Sequence, residues 1–351
     1  MVFVKLGNVA LEGISSVVPT KELSLLDDPN LYNGNEQKIK RVVESSGFLK
    51  RRVADKTTTT ADLCEQAAND LLGNLNVKRE SIDGLLFISY TPDYLMPATS
   101  YVLHKKLNLS ESCVVADIPQ ACSGFVFGLY QAGMMLNSGC KRVLLLVGDT
   151  FSKFTDMFRD HTAPVFGDAG TATLLEYDPT ASSAYFNIKS DGNLHEALIC
   201  KNGGFRNPVQ KDMFYEDGNY CYESKMNGAQ IFNFTLEKIA KSIEEVLQYA
   251  NTPKEEIRTY VLHQANKFII KNIALQLKLS EDLFPMSTLT KYGNQCGASI
   301  PCAVCDSLKE KFSSGAGKTL FSGFGVGLSW ISAVIDLNPI YCSPVLEYKS
   351  L

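Results

Sequence analysis

The sequence has no excess of either charge. It carries 34 Lys and Arg against 38 Asp and Glu, for a formal net charge of -4. So weak a field excludes bulk binding to nucleic acid and leaves only local patches for an acidic partner. Long apolar runs are also missing. The longest lies around residues 125–136, and Gly128, Gln131 and Gly133 interrupt it. It falls short of the roughly 20 apolar residues that a membrane helix needs, so no membrane span is expected. Residues 1–20 have neither a basic opening nor a long apolar stretch, and they read as a first strand instead of a signal peptide. Tryptophan occurs once, at Trp330, and histidine at four positions only: His104, His161, His195 and His263.

Cysteine is better represented, with ten in 351 residues. A secreted disulfide scaffold would be shorter and denser in Cys. Cys64, Cys113, Cys302 and Cys305 sit in apolar surroundings. Cys302 and Cys305 make a CxxC pair, but no second CxxC or nearby His pair completes a zinc set. They read as two small residues of a buried helix, and no metal is expected. A reducing cytoplasm fits this usage. With 45% hydrophobic and 21% charged residues, the chain has a globular composition.

Helical and strand patterns alternate throughout, which predicts an α/β fold. Residues 81–89 and 112–117 read as buried strands. A helix follows the second and runs to about Asn137, where Gly139 ends it. The apolar run at 141–148 predicts a strand covered on both faces. In the second half, Phe232, Leu236, Ile239, Ile243 and Val246 mark one face of a long helix over 229–249. Thr252, Pro253 and Glu255 have the spacing of a capped short helix. Residues 258–263 read as a strand, with a helix from about Gln264. Residues 318–336 read as two strands joined by the glycine-rich turn 323–327. Residues 198–222, with Gly203, Gly204, Pro208, Asp217 and Gly218, read as an irregular surface excursion. The loose similarity of the halves suggests an internal duplication, 1–180 and 181–351, with the boundary near residue 180.

Three residues stand out chemically. Cys122, in Asp117-Ile118-Pro119-Gln120-Ala121-Cys122-Ser123-Gly124, falls between an apolar strand and an apolar helix. A strand-to-helix turn would present its thiol at a helix N-terminus, where free N–H groups and the dipole favour the thiolate. The same N–H groups can serve as an oxyanion hole. A lone Cys is more often a buried structural residue. His263 ends an apolar strand, a place usually held by a hydrogen-bonded structural group. Asn294 stands in Tyr292-Gly293-Asn294-Gln295-Cys296-Gly297-Ala298, where an ordinary turn asparagine is the plain alternative.

Taken together, the contexts are specific. Ala121-Cys122-Ser123-Gly124, His263-Gln264-Ala265-Asn266, the Gly293-Asn294 segment through Pro301, and Gly323-Phe324-Gly325-Val326-Gly327 closely resemble the β-ketoacyl-[acyl-carrier-protein] synthase III family of the thiolase superfamily. Further matches are the segments 166–172, 226–228 and 47–52, so the resemblance spans nearly the whole chain in the family's order. It implies a thiolase-like five-layered αβαβα fold built from two related halves, usually as a homodimer. It implies a catalytic triad of Cys122, His263 and Asn294, with the backbone N–H groups of Cys122 and Val326 as oxyanion hole. Met96, in the loop 94–97, would cap the acyl tunnel across the dimer interface. Tunnel depth would depend on the packing of Met96, Phe205, Phe214 and Phe232. No cofactor is implied beyond acyl thioester substrates on acyl carrier protein phosphopantetheine or coenzyme A.

The implied reaction is a decarboxylative Claisen condensation. A thiolate takes the acyl group as a new thioester. A malonyl-carrier thioester then loses CO2, and neutral His263 and Asn294 donate hydrogen bonds to the enolate oxygen. Fatty acid or polyketide synthesis would use such a step.

The sequence departs from the family at two places. Members primed by coenzyme A often carry a Trp and an Arg before the Gly47 motif to hold the adenine; here the segment reads Gln37 through Ser46, and the sole tryptophan is Trp330. The Arg that the family places after the His263 motif is also missing, and Lys267 and Lys271 follow instead. The departures point to an acyl-carrier-protein donor, with Lys267 and Lys271 as contacts unless they are simply solvated. One alternative keeps the fold but moves the Cys-bound acyl group to an amine or hydroxyl without decarboxylation, in a secondary-metabolite or cell-surface pathway. A non-enzymatic partner subunit is disfavoured because all three residues are present. A papain-like hydrolase is disfavoured because it would place its Cys near the N-terminus beside a Trp.

Overall fold

The computed structural model describes residues 2–27, 34–154, 165–214, 218, 221, 222 and 224–350. Its strands are β1 (Val2–Leu6), β2 (Val9–Val18), β3 (Glu22–Ser24), β4 (Lys50–Arg52), β5 (Gly84–Ile88), β6 (Val114–Ile118), β7 (Arg142–Asp149) and β8 (Ala169–Tyr177). They continue with β9 (Ala184–Ser190), β10 (Leu198–Cys200), β11 (Ser224–Met226), β12 (Thr259–Leu262), β13 (Gly317–Gly325), β14 (Ser329–Leu337) and β15 (Tyr341–Glu347). The helices are α1 (Glu36–Ser46), α2 (Thr60–Asn74), α3 (Thr99–Lys106), α4 (Gly124–Asn137), α5 (Gly228–Tyr249), α6 (Lys267–Leu277), α7 (Thr288–Lys291), α8 (Ser299–Ser307) and α9 (Lys309–Ser313). His161 lies outside the described residues.

Two mixed sheets carry the architecture. One has the strand order β15-β2-β8-β7-β5-β6 and the other β1-β9-β14-β13-β12. Each takes one edge strand from the far end of the chain: β1 pairs with β9, and β15 with β2. Helices α4 and α8 lie between the sheets, since α4 packs on β5, β7, β13 and β14, and α8 on β2, β15 and β12. Helices α2 and α3 cover the outer face of the first sheet, and α5, with α6 against it, covers that of the second. This is the five-layered αβαβα arrangement expected from the sequence.

The sequence pattern of β7 explains the sandwich. Val143, Leu145 and Val147 join the core between the sheets, while Leu144 and Leu146 join the core under α2 and α3. A strand whose two faces are both covered needs apolar residues at every position. In β5, Leu86 and Ile88 face the central core, and Leu85 and Phe87 face the outer one. On α5, Ile239, Ile243 and Val246 are buried against the second sheet, while Phe232 and Leu236 are only partly covered.

Two helix starts differ from the sequence reading. After β12 the helix begins at Lys267, not near Gln264, because Asn266 caps it by accepting the Ile269 N–H at 2.8 Å. Gln264 is buried, and its amide donates to the carbonyls of Leu262 and Pro285. At 252–255 there is no capping box. Pro253 occupies the cap itself, the helix is a single 3₁₀ turn (Lys254–Glu256), and the Thr252 hydroxyl donates to Ala250.

The segment ahead of β8 is tied to the turn ahead of α8 by a close crossing. Gly167 N–H donates to Asn294 O at 3.0 Å, and Asn294 N–H donates to Val165 O at 2.7 Å. A Cβ on Gly167 would lie 1.8 Å from the carbonyl oxygen of Tyr292. Gly167→Ala is therefore expected to separate this crossing and to cost about 2 kcal/mol or more. Urea unfolding would show it as a lower midpoint with little change in m-value.

Candidate active site

The chain leading from β6 into α4 makes a tight turn, in which the Gly124 N–H donates to the Ala121 carbonyl at 2.6 Å. Cys122 is the central residue of that turn and is buried just ahead of the helix. The β13 strand passes against it so tightly that a Cβ on Gly325 would lie 2.5 Å from the Cys122 Cβ and 2.9 Å from its Sγ. The following residue, Val326, directs its N–H to the Cys122 sulfur.

His263 continues β12, its N–H donating to Ser322 O at 2.8 Å. The ring is buried, edge-on to Phe324, and Nδ1 is bonded to Ser299 Oγ at 2.8 Å. Ser299 Oγ also accepts the Gln264 N–H at 3.3 Å. The Ser299 bond holds the ring by Nδ1 and leaves Nε2 as the nitrogen free to meet Cys122. Asn294 Oδ1 accepts the Cys296 N–H at 2.9 Å. That bond commits the oxygen and leaves the NH2 end of the amide to donate.

Electrostatics favour a charged sulfur at Cys122. Its pKa lies well below the usual thiol value, through the hydrogen bond from the Cys296 thiol, then the charge and hydrogen bond of His263, then the Val326 N–H, all working against burial. Burial and the neighbouring Cys122 charge push the Cys296 thiol well up. Burial also pushes Asp149, behind the site, well above the carboxylate range; its Oδ1 accepts from Ser89 and the Tyr90 N–H.

A cavity of about 490 Å³ opens over Cys122. One wall is a run of aromatic rings in which Phe151 stacks on Phe154 at 5.1 Å and on Phe166 at 5.4 Å. The facing wall includes Leu198, Ile199 and Cys200 of β10, held by antiparallel pairing to β11. The stretch read from sequence as a surface excursion therefore lines the site, although residues 215–217, 219 and 220 lie outside the described residues.

The structure brings Cys122, His263 and Val326 into contact and places Asn294 in the turn that carries Cys296 against Cys122. It does not bring Met96 there within one chain: Met96 is 83% exposed, beside exposed Tyr94 and Leu95. Phe205 is 94% exposed and Phe214 49%, while Phe232 packs on Phe268, so none of these lines the cavity. Lys267 is exposed on the first turn of α6, and Lys271 pairs with Glu281 at 2.5 Å. Sequence reasoning missed Ser299 and Cys296, although both stand in the segment that carries Asn294.

Comparison with known proteins settles the family. The sequence models described as 3-oxoacyl-[acyl-carrier-protein (ACP)] synthase III and its C-terminal part match residues 116–192 and 247–337. A putative 3-oxoacyl-[acyl-carrier-protein] synthase 3 of Campylobacter jejuni is 35% identical over 96% of both chains. The chain belongs to the 3-oxoacyl-[acyl-carrier-protein] synthase III family. It is a condensing enzyme of the acyltransferase class. A β-ketoacyl-[acyl-carrier-protein] synthase III of Streptococcus mutans is 30% identical over 96% of this chain and all of that relative. The crystal structure of a 3-oxoacyl-(acyl-carrier protein) synthase from Burkholderia xenovorans superposes with a TM-score of 0.91, at 35% identity and 99% coverage of both chains.

Two measurements follow. Iodoacetamide should modify Cys122 well below the pH at which an ordinary thiol reacts, and His263→Ala should move that profile to higher pH; peptide mass spectrometry against pH checks both. Separately, Asp168 is buried and its pKa is pushed up to about 6 by burial, while it accepts from the Ala54 and Ser152 N–H groups. A carboxyl raised in the fold contributes stability that is fully present below its unfolded value and is lost as pH rises through the folded one. Unfolding free energy of the wild type should thus fall by up to about 3 kcal/mol relative to Asp168→Asn between pH ~4 and ~6.

Proposed function

We propose that Cys122 is the acyl-carrying nucleophile of a β-ketoacyl synthase III reaction, with His263 and Asn294 as the groups that stabilise the enolate. The observation that carries this is the Cys122 sulfur held by the Cys296 thiol, His263 and the Val326 N–H at once. The thiolate attacks the carbonyl of an acyl thioester. The tetrahedral oxyanion sits on the N–H groups of Cys122 and Val326, the donor leaves as a thiolate that takes a proton from water, and the acyl group stays on sulfur. A malonyl thioester then occupies the cavity. As it loses CO2, negative charge moves to its thioester oxygen, toward His263 Nε2–H and the Asn294 NH2. The carbanion carbon attacks the Cys122 thioester, a carbon–carbon bond forms, and Cys122 leaves as thiolate. Val326, already aimed at the sulfur, is preorganised for the acylation step.

The donor in this reading is carried on acyl carrier protein. Support comes from the lack of a tryptophan at 37–46 and of an arginine directly after the His263 motif, and from the exposed Lys267 on α6, near which Lys271 offers a second, ion-paired cation. The protein acts as a homodimer in the reducing cytoplasm. Strand β6 is the free edge of its sheet, with Val114 58% exposed, and Tyr94, Leu95 and Met96 are exposed on the loop ahead of α3. An edge strand and exposed apolar side chains are both surfaces that pairing would cover. In that dimer Met96 would reach the partner's cavity.

Intact-mass spectrometry after mixing with matched acyl donors tests the donor. Carrier-bound acyl groups should label the protein faster than the same groups on coenzyme A, and efficient labelling by coenzyme A esters alone would overturn the carrier donor. Release of CO2 from malonyl-carrier protein by the acylated enzyme is expected. Its absence, with the acyl group passed to an amine or hydroxyl, would replace condensation by simple acyl transfer.

A further inference from the structure

Acyl transfer needs one thiol, yet the site holds a second beside it. Ala121, Cys122, Phe166 and Cys296 make a small buried cluster, and both thiols line the same cavity. The two thiols are close enough to interact electrostatically. The backbones that carry them also touch: a Cβ on Gly297 would lie 2.8 Å from the Ala121 carbonyl oxygen. Cys296 is held in the left-handed region at φ +49, which costs a side-chain-bearing residue about 1–2 kcal/mol. The Asn294 side chain accepts its N–H and fixes that turn. The strained turn thus aims a thiol at the nucleophile.

We propose that Cys122 and Cys296 form a peroxide-reactive dithiol that closes to a disulfide and so switches the nucleophile off reversibly. The step balances with a hydroperoxide as the oxidant. The Cys122 thiolate attacks one peroxide oxygen of hydrogen peroxide, the O–O bond breaks, and hydroxide takes a proton to leave as water, giving a sulfenic acid. Cys296 then loses its proton, its sulfur attacks the Cys122 sulfur, the S–O bond breaks and a second water leaves. Two thiols have lost two electrons to one peroxide. A small-molecule dithiol reverses the bond by exchange. The division of labour suits the pair: the thiolate is the sulfur that attacks peroxide, and the neutral thiol is the one that resolves it. Selectivity follows from the rest of the chain, because burial pushes the thiols of Cys64, Cys113, Cys302, Cys305 and Cys342 up. Cys200 shares the cavity, but its thiol is bonded to the Tyr222 carbonyl at 2.6 Å. The inference rests on the thiolate character of Cys122 and not on which acyl group it carries.

The test treats the full-length protein with hydrogen peroxide and maps the cysteines by peptide mass spectrometry without reduction. The wild type should give a Cys122–Cys296 cross-linked peptide, lighter by two hydrogens, that dithiothreitol reopens. Cys296→Ser should instead accumulate Cys122 with two or three added oxygens, which dithiothreitol does not remove, by about tenfold or more over the wild type. Cys200→Ser should cross-link as the wild type does. A wild-type Cys122 that over-oxidises as fast as the Cys296→Ser variant, or that cross-links to Cys200, would overturn the proposal. So would a Cys122 that iodoacetamide alkylates readily but peroxide leaves unchanged. Failure of alkylation itself would count against the thiolate reading of Cys122 instead, and the wild-type map stands even if Cys296→Ser does not fold.

Discussion

Two helices buried in one layer between two sheets set the terms for everything at the site. Helix α4 starts just after Cys122, and α8 starts at Ser299, just after Asn294 and Cys296. Because both lie in the central layer, their N-terminal ends meet near one small volume. There unpaired N–H groups and the aligned dipoles favour negative charge. The thiolate, the oxyanion and the enolate of the proposed reaction are all anions generated in that volume. A fold that converges helix N-termini in a dry interior supplies much of the electrostatic preorganisation before any particular side chain is considered.

The side chains then divide the work. Ser299 links its own helix to His263 by one hydrogen bond and fixes which ring nitrogen is left to meet Cys122. Asn294 spends its oxygen on its own turn and keeps its NH2 end for donation. Gly325 lets β13 approach Cys122 closely enough for Val326 to reach the sulfur.

The fold was largely legible in sequence where burial imposed a period. The continuous apolar run of β7, the one-sided face of α5 and the glycine-bounded α4 all appear where the pattern places them. Caps were less legible, because one hydroxyl or amide has several backbone partners in reach: Thr252 turned to Ala250, and the α6 cap fell to Asn266. At the site, Cys122, His263 and Asn294 stood out through their motifs. The β10–β11 wall did not, since a short irregular hairpin has no periodicity to read. Nor did the Cys122–Cys296 contact, which joins residues far apart in sequence through the crossing at Gly167 and the central helix layer. Met96 lies on an exposed loop, outside the cavity of its own chain.

The claim on which the rest depends is that Cys122, one of ten cysteines, carries the acyl group. Peptide mapping after incubation with an acyl-carrier-protein donor under reducing conditions tests it most directly. The account predicts the acyl mass on the peptide containing Cys122, and its loss in Cys122→Ala. An acyl group found on Cys200 or Cys296, or labelling undiminished in Cys122→Ala, would contradict it.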